Sequence, residues 1–434
     1  MKEIQVVILA GGYGYSLYPL TEKCSKHLLP IGNKPLLAYI VEKLQKHFFV
    51  NFIFVCNHQN KRSIQNYFEL EFEWDKRRKA KSFFFAPEKY LYPTQAIAQL
   101  YESGVIVQDI LLIHGDLFTD CNLNELVDHH YLNENEITCV MNRSKKSEYL
   151  IFVDNESNII KLTDKEEIGF KDLSIRNSLI AKNGKLDILT GRNLSDIYII
   201  DYKLIKLFGK LSTKFHNFGD ELLPFLAEYQ YNKKLVNEVF ERLKLMRRNS
   251  EINRQVTAKE QQLKKKNRIK INLFFFDGYC KRVNSLEEYT QLNFDAIKTY
   301  KKSDIFKFTE NNEELKPENP NNKKAPPNII AKQTEISDKA SLKMCVIGSG
   351  CQIGNAQLKD CIVLNNTVID DGCVLKNCFV GALVMIHKNN KLTSCTIADK
   401  FTLNEGEEIA DEVLVNLGDD ELDVIRKRSM HENK

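Results

Sequence analysis

The stretch that decides the fold is VVILAGGYGYSLYPLT, residues 6–21, near the start of the chain. Val6–Leu9 form an apolar run without polar alternation, which predicts a strand buried on both faces, as in a parallel sheet. The run ends in small residues, so the chain is expected to turn at the carboxyl edge of the sheet, where ligands of open α/β folds bind. Glycines at that turn, Gly11, Gly12 and Gly14, would let backbone N–H groups approach a phosphate without interference from a Cβ atom.

The bulk composition limits the class of protein. A chain of 434 residues exceeds one ordinary core, so two or three domains are expected. The net charge of +4 is small for this length and predicts no direct binding of nucleic acid or a membrane surface. No apolar run reaches the length of a membrane span, and Met1-Lys2-Glu3 leads directly into the first strand, so we expect no signal peptide. The 11 cysteines form no paired Cys-x-x-Cys sets and favour a reduced, cytosolic compartment.

Strands and helices alternate along the first 300 residues. Apolar runs predict strands at 52–56, 82–85, 109–113, 197–200 and 271–276, and helical spacing predicts helices at 36–48, 63–72, 97–103 and 285–300. This alternation predicts an α/β fold with a doubly wound, mostly parallel sheet.

Two polar segments interrupt this pattern. Residues 241–270 form a strongly basic insertion, which is typical of a solvated helix or a loop; contact with an acidic partner or RNA is the less favoured interpretation. Residues 301–327 are rich in Lys, Asn, Glu and Pro and are predicted to be a linker.

An internal repeat follows the linker. Four motifs, LKMC at 342–345, LKDC at 358–361, LKNC at 375–378 and LTSC at 392–395, recur every 16 or 17 residues. Apolar residues between them recur about every six residues, which is typical of hexapeptide repeats. We therefore predict a left-handed parallel β-helix in which the repeated cysteines are core residues rather than metal ligands. The predicted plan is a first domain at 1–300, the linker, the β-helix at 328–415 and a tail at 416–434.

The opening string resembles the signature of the sugar-1-phosphate nucleotidyltransferases. The resemblance also covers LLPIGNKPL at 28–36 and Asp116 at the end of a predicted strand. It implies that the loop of Gly11, Gly12 and Gly14 descends from a nucleoside-triphosphate site, that Lys26 descends from a lysine that assists transfer, and that Asp116 descends from a Mg²⁺ ligand. From the residue alone, Asp116 is about equally well explained as an acidic residue that caps the next helix.

Several positions depart from the pattern of that family. Ser16 replaces an arginine that grips phosphates, and serine has neither the charge nor the fork of a guanidinium. Pro93-Thr94-Gln95 replaces Gly-Thr-Ala, and proline removes a backbone donor. The second metal aspartate has only Asp277 as a candidate, and His114 is interpreted as a packed core histidine. The sequence therefore predicts that the fold is retained, that the chemistry is lost and that no residue is catalytic.

One group within this superfamily is known for a degraded nucleotide site, the gamma and epsilon subunits of eukaryotic translation initiation factor two-B. The chain resembles the gamma type in LLPIGNKPL and in CKRVNSL at 280–286. The last residue is Lys434, so we expect no catalytic domain of the kind that an epsilon subunit carries. The resemblance implies a non-catalytic subunit without a cofactor, whose partners are the epsilon, alpha, beta and delta subunits and initiation factor two. Two alternatives stay open: an active, mannose-1-phosphate guanylyltransferase-like enzyme that uses Lys26, Asp116 and Mg²⁺, and a pseudoenzyme that binds a nucleotide as a regulator.

Overall fold

The structure is a computed structural model that describes residues 4–72, 74, 80–89, 91–144, 148–165, 185–212, 214–229, 269–299, 312–313, 328–416 and 422–426. The predicted insertion at 241–270 and linker at 301–327 therefore lie outside the described residues, apart from 269–270 and 312–313. The predicted domain limits at 300, 327 and 415 fall at or beside undescribed residues and stay predictions.

Packing divides the chain into two compact units. The first unit is Met1–Gly11 with Glu42–Cys280, and the second is Gly12–Val41 with Lys281–Lys434. The segment that follows the first strand thus packs with the carboxyl-terminal part of the chain, although it is far from it in sequence.

A seven-stranded sheet forms the centre of the first unit. Its strands pair in the order Ile271–Phe276, Ile137–Arg143, Arg192–Ile200, Ile110–His114, Gln5–Ala10, Asn51–Cys56 and Lys81–Phe85. All neighbours are parallel except Arg192–Ile200, which is antiparallel to both of its neighbours. Every residue of the Gln5–Ala10 strand is buried, because it lies inside the sheet and both of its faces are covered. The predicted mostly parallel α/β sheet is confirmed.

The remaining elements of the first unit surround this sheet. A small antiparallel sheet contains the strands Ile159–Asp164, Tyr149–Val153 and Asp187–Leu189. The helices are His58–Asn66, Pro93–Glu102, Leu123–Leu132, Tyr202–Leu211 and Leu223–Tyr229, with single π-type turns at Tyr67–Glu71 and Phe218–Leu222. A short strand, Leu117–Thr119, follows Asp116, and the helix Leu36–Lys46 runs across the division between the units.

The second unit contains a solenoid with three strand columns. The first column is Ile329–Ala331, Val346–Ile347, Ile362–Val363, Phe379–Val380, Thr396–Ile397 and Glu412–Asn416, with Asn312–Glu313 and Leu422–Arg426 antiparallel at its ends. The second is Glu335–Ile336, Gln352–Ile353, Val368–Ile369, Met385–Ile386 and Thr402–Leu403. The third is Ser341–Lys343, Gln357–Lys359, Val374–Lys376, Lys391–Thr393 and Glu408–Ala410. Parallel pairing at intervals of 16 or 17 residues confirms the predicted β-helix.

The repeated motif supplies both the core and the corners of the solenoid. Leu358, Leu375 and Leu392 pair in register and are 0–1% exposed. Each strand of the third column is followed by a residue with positive φ, for example 55° at Asp360 and 52° at Asn377. This left-handed conformation turns the chain sharply into the next strand. The repeated cysteines Cys345, Cys361, Cys378 and Cys395 are all buried and free of disulfides, as expected for core residues.

Other elements of the second unit pack against this solenoid. The helix Leu286–Thr299 brings the Tyr289 ring within 5.9 Å of the Phe379 ring. The Tyr289 hydroxyl donates to the carbonyl of Pro30 at 2.6 Å, in the short hairpin Pro30–Ile31 and Lys34–Pro35. Asn33, at the tip of that hairpin, donates from its side chain to the carbonyl of Ile347 at 2.9 Å. Among the described residues, no helix is both long and apolar enough to cross a membrane.

Candidate functional site

The glycine loop of the second unit is shaped by one glycine. Gly14 has φ 74°, and a Cβ atom there would lie 2.9 Å from Cγ2 of Thr21 and 3.0 Å from Cβ of Lys26. The Thr21 hydroxyl donates to the Gly14 carbonyl at 2.8 Å and closes the turn. Gly12, in contrast, has no atom within 4 Å of the position that its Cβ would take. Local geometry therefore requires glycine at position 14 and leaves position 12 unconstrained.

Ser16 and Lys26, at the positions where the family has an arginine and a lysine for the phosphates, both bind another part of the chain. The Ser16 hydroxyl donates to the backbone carbonyl of Asn284, and the Lys26 ammonium donates to the Asn284 side-chain oxygen at 3.1 Å. Lys26 is 7% exposed, so the loop holds this cation as a buried group rather than presenting it to solvent. Asn284 is itself fixed, because its N–H donates to Glu288 at 2.6 Å at the start of the helix Leu286–Thr299. The loop is thus cross-linked by hydrogen bonds from within its own unit.

Gly11 and Asp116 belong to the first unit. The Gly11 carbonyl accepts from the Asn57 side chain at 2.9 Å, which ties the end of the first strand to the cap of the helix His58–Asn66. Asp116 is 3% exposed, and its Oδ1 lies 4.0 Å from Nδ1 of His114. The sequence did not indicate a partner for His114; the structure shows that the Asp116 carboxylate lies beside it.

The helix Pro93–Glu102 begins at the segment that replaces Gly-Thr-Ala, and the donors of Thr94 in its first turn are bonded within the first unit. Pro93 is the first residue of the helix, earlier than the predicted start at 97, and Thr94 is fully buried. The Thr94 N–H and hydroxyl donate to the carbonyl of His216 at 3.5 Å and 3.2 Å, and the hydroxyl also donates to the carbonyl of Phe215. The His216 ring contacts the Tyr92 ring, with centroids 3.9 Å apart and the ring planes tilted by 36°. The donors of Thr94 at this helix terminus are therefore occupied by the chain itself.

Asp277 does not fit the role of a second metal ligand. Its carboxylate accepts two hydrogen bonds from Arg143, at 2.9 Å and 3.0 Å, and pairs with Arg192 at 3.1 Å. Slight desolvation raises the pKa of Asp277, but the hydrogen bond from Arg143 and the charge of Arg192 outweigh it and hold that pKa below its usual range. Two guanidinium groups on one carboxylate occupy its lone pairs and repel a divalent cation. The described residues also contain no cluster of three or more His, Cys, Asp or Glu side chains suited to a metal ion.

Sequence reasoning did not single out Asn284, Arg143, Arg192 or His216. A signal existed only for Asn284, which lies in the CKRVNSL segment at 280–286. The other three are ordinary polar residues in their local sequence, and only the folded chain brings them to Asp277 and Thr94.

Cys24, two residues before Lys26, offers a test of the environment of the loop. Burial and, secondarily, the charge of Asp399 raise the pKa of this thiol from 9.0 to about 11. Iodoacetamide reacts with the thiolate, and at pH 8 a rise of about two pKa units lowers the thiolate fraction about 100-fold. We therefore expect Cys24 to react about 100-fold more slowly in the native protein than in the unfolded chain. Peptide mass spectrometry measures the rate, and it should rise as the pH approaches 11. Equal rates in native and unfolded protein would contradict the burial of the Cys24 thiol.

Comparison with known proteins finds similarity in both parts of the chain. A family model described as nucleotidyl transferase matches residues 5–167, and one described as the GMPPB C-terminal domain matches residues 325–418. The translation initiation factor eIF2B subunit gamma of Schizosaccharomyces pombe is 28% identical over 308 residues, 67% of this chain and 65% of that protein. The chain resembles the eIF2B gamma subunit. The nucleotidyltransferase-type fold of its amino-terminal part, predicted from the glycine string, is confirmed.

Bifunctional enzymes also resemble the chain, over a shorter region. The GlmU protein of Methanococcus aeolicus is 33% identical over 37% of this chain and 36% of its own length. A bifunctional sugar-1-phosphate nucleotidylyltransferase/acetyltransferase of Sulfurisphaera tokodaii is 30% identical over 38% of the chain and 37% of its own length. The chain therefore aligns with just under two thirds of the eIF2B subunit and with little more than a third of each of these enzymes.

Proposed function

We propose that the chain is a non-catalytic subunit of the guanine-nucleotide exchange factor for translation initiation factor two. In this proposal it pairs with an epsilon-type catalytic subunit, assembles with alpha, beta and delta subunits in the cytosol, and promotes exchange of GDP for GTP. The observation that carries it is the similarity to an eIF2B gamma subunit, which extends over 67% of the chain and so over a longer region than the similarity to the enzymes.

The local chemistry supports a scaffold rather than a transferase. Ser16 and Lys26 are both committed to Asn284, the donors of Thr94 are committed to carbonyls of the same unit, and Asp277 is committed to Arg143. A transferase stabilises the charge that develops on the transferred phosphate with preorganised cations and donors. Groups whose hydrogen bonds are already used within the fold would have to break them before they could act on a substrate.

The proposal is tested by reconstitution. The tagged chain of 434 residues is co-expressed with the four other subunits of the exchange factor, and release of fluorescent GDP from initiation factor two is followed. We expect recovery of a complex that contains the epsilon subunit. That complex should release GDP at least about tenfold faster than the epsilon subunit alone, which corresponds to an activation free energy lower by about 1.4 kcal/mol. Failure to recover the epsilon subunit, or an unchanged rate of release, would refute the proposal.

The second candidate is an active sugar-1-phosphate nucleotidyltransferase. The matches to the nucleotidyl transferase and GMPPB C-terminal models favour it, as do the retained Lys26 and Asp116. An enzyme of this kind would release pyrophosphate from GTP or UTP in the presence of Mg²⁺ and a sugar 1-phosphate. Its rate would fall by about 100- to 1,000-fold on Lys26→Met, as is usual when a group that stabilises the transition state is removed. We expect no release of pyrophosphate above background. Complexes that contain the native chain, the Lys26→Met variant or the Asp116→Asn variant should release GDP from initiation factor two at equal rates.

The third interpretation, a nucleotide-binding regulator, is separated from the others by calorimetry. Titration of the purified chain with GTP, GDP, ATP and UTP should give no binding heat if the loop is only a scaffold. Saturable heat that disappears with Lys26→Met, without pyrophosphate release, would show that the chain binds a nucleotide without turning it over, as the third interpretation requires.

A further inference from the structure

A groove of about 650 Å³ lies between the helix Leu286–Thr299 and the solenoid, entirely within the second unit. Its volume is in the usual range of ligand sites. Leu286, Thr290 and Phe294 line one wall from a single stripe of the helix. Ile362 and Phe379, which begin successive strands of the first column, form the floor and are only 1% and 5% exposed, so the accessible apolar surface comes from Leu286 and Phe294.

The other wall is a ladder of polar side chains along the solenoid axis. Asp360, Asn377, Ser394 and Asp411 occupy the same corner of four successive coils, with φ between 52° and 57°. The N–H of each donates to the third-column strand of the preceding coil, so the four positions are structurally equivalent. The two carboxylates stand at the ends of the ladder, and an amide and a hydroxyl stand between them.

Among the described residues, the charged side chains that line the groove are all acidic. They are the three carboxylates of Glu287, Asp360 and Asp411. Lys359 lies 3.9 Å from Asp360, but its side chain is 55% exposed and does not line the groove. A partly exposed apolar helix wall opposite these carboxylates fits a segment that carries cations at its ends and an apolar residue between them. A polyanion such as RNA would be repelled here.

The spacing of the ladder selects the conformation of that segment. Strands of adjacent coils lie about 4.8 Å apart, so Asp360 and Asp411, three coils apart, are separated by about 14 Å. An extended chain advances about 3.4 Å per residue and places residues i and i+4 about 14 Å apart on the same face. A helix would need about nine residues for that distance, and residues nine apart lie on opposite faces.

We propose that this groove binds an extended, basic segment of a partner protein, with Lys or Arg at positions i and i+4 and an apolar residue at i+2. The cations pair with Asp360 and Asp411, and the apolar residue packs against Leu286 and Phe294 on the helix wall. Asn377 and Ser394 face the backbone of the segment. The proposal does not depend on whether the chain promotes nucleotide exchange.

Fluorescence polarisation with the 434-residue chain tests the proposal. The probes are labelled peptides with two arginines at spacing i+2, i+4 or i+6 around a central valine. We expect the i+4 peptide to bind tightest, and Asp360→Asn with Asp411→Asn to weaken it about tenfold, as for two partly screened ion pairs. Asparagine already occupies the same corner at position 377, so these variants fit the backbone. The control pair, Glu335→Gln with Glu408→Gln, removes two exposed carboxylates outside the groove and should leave binding unchanged.

Photocrosslinking and sedimentation complete the test. A photoreactive phenylalanine at the centre of the i+4 peptide should attach to residues 286–294 or 377–396. The proposal is overturned if the three spacings bind equally, if the control pair weakens binding as much as the groove pair, if crosslinks map elsewhere, or if no peptide binds. A change in oligomeric state on Asp360→Asn with Asp411→Asn would identify a second copy of this chain as the occupant and would also overturn it.

Discussion

Replacing Leu375 by alanine should lower the free energy of unfolding of the second unit by about 2–5 kcal/mol, the usual cost of emptying a fully buried leucine site. Leu375 is 0% exposed and stacks in register between Leu358 and Leu392, so neighbours on both sides lose contacts. The rungs are held apart by backbone hydrogen bonds between coils, which limits how far the cavity can collapse. A cost near the upper end of the range is therefore expected.

Urea unfolding followed by far-UV circular dichroism measures this change. Met385→Ala is the matched control. Met385 lies in the strand Met385–Ile386, two strands after that of Leu375, and is 41% exposed. Its truncation should therefore change the free energy of unfolding by about 0.5 kcal/mol or less. The single tryptophan, Trp74, lies in the first unit, so its fluorescence reports separately on that unit. Equal effects of the two substitutions would show that the leucine column does not support the solenoid.

The architecture could be predicted because its signals are local. The buried strand after Ile4, the strand at Ile271–Phe276 and the repeat of 16 or 17 residues each follow from runs or periods that neighbouring residues define. Boundaries were less accurate where a cap decides them. The helix predicted at 63–72 begins at His58, because Asn57 and Asn60 form a reciprocal capping box, and it ends at Asn66 before a π-type turn.

The candidate site could be predicted only in part, because its decisive contacts join residues far apart in sequence. Ser16 and Lys26 were identifiable from the family string, but their shared partner Asn284 is 258 residues beyond Lys26. The same holds for Asp277, whose partner Arg143 is 134 residues earlier. A sequence pattern identifies which side chains are missing from a site. It does not show which other residues of the chain form hydrogen bonds with the side chains that remain, such as Asn284 with Lys26.

Replacing Gly14 by alanine should lower the free energy of unfolding by about 2–5 kcal/mol. A left-handed conformation costs an L-residue about 1–2 kcal/mol, and overpacking in a closed site adds about 1–3 kcal/mol. Both apply at Gly14, where φ is 74° and the added methyl group would meet carbon atoms of Thr21 and Lys26 at 3.0 Å or less. Calorimetry and urea unfolding measure the loss. Gly12→Ala is the control, because open space surrounds the position of its Cβ, and we expect a change of about 0.5 kcal/mol or less.

The same pair of variants separates the two reasons for a glycine-rich loop. If these glycines still served a triphosphate, Gly12→Ala would weaken nucleotide binding without loss of stability, because the added methyl group would occupy the space through which a phosphate approaches the backbone. If the loop is a scaffold, only Gly14→Ala has an effect, and that effect is on folding. A complex assembled with Gly12→Ala should then release GDP from initiation factor two at the native rate. A nucleotide affinity that falls on Gly12→Ala would show that the loop has kept a ligand, and Ser16 and Lys26 would then have to exchange Asn284 for it.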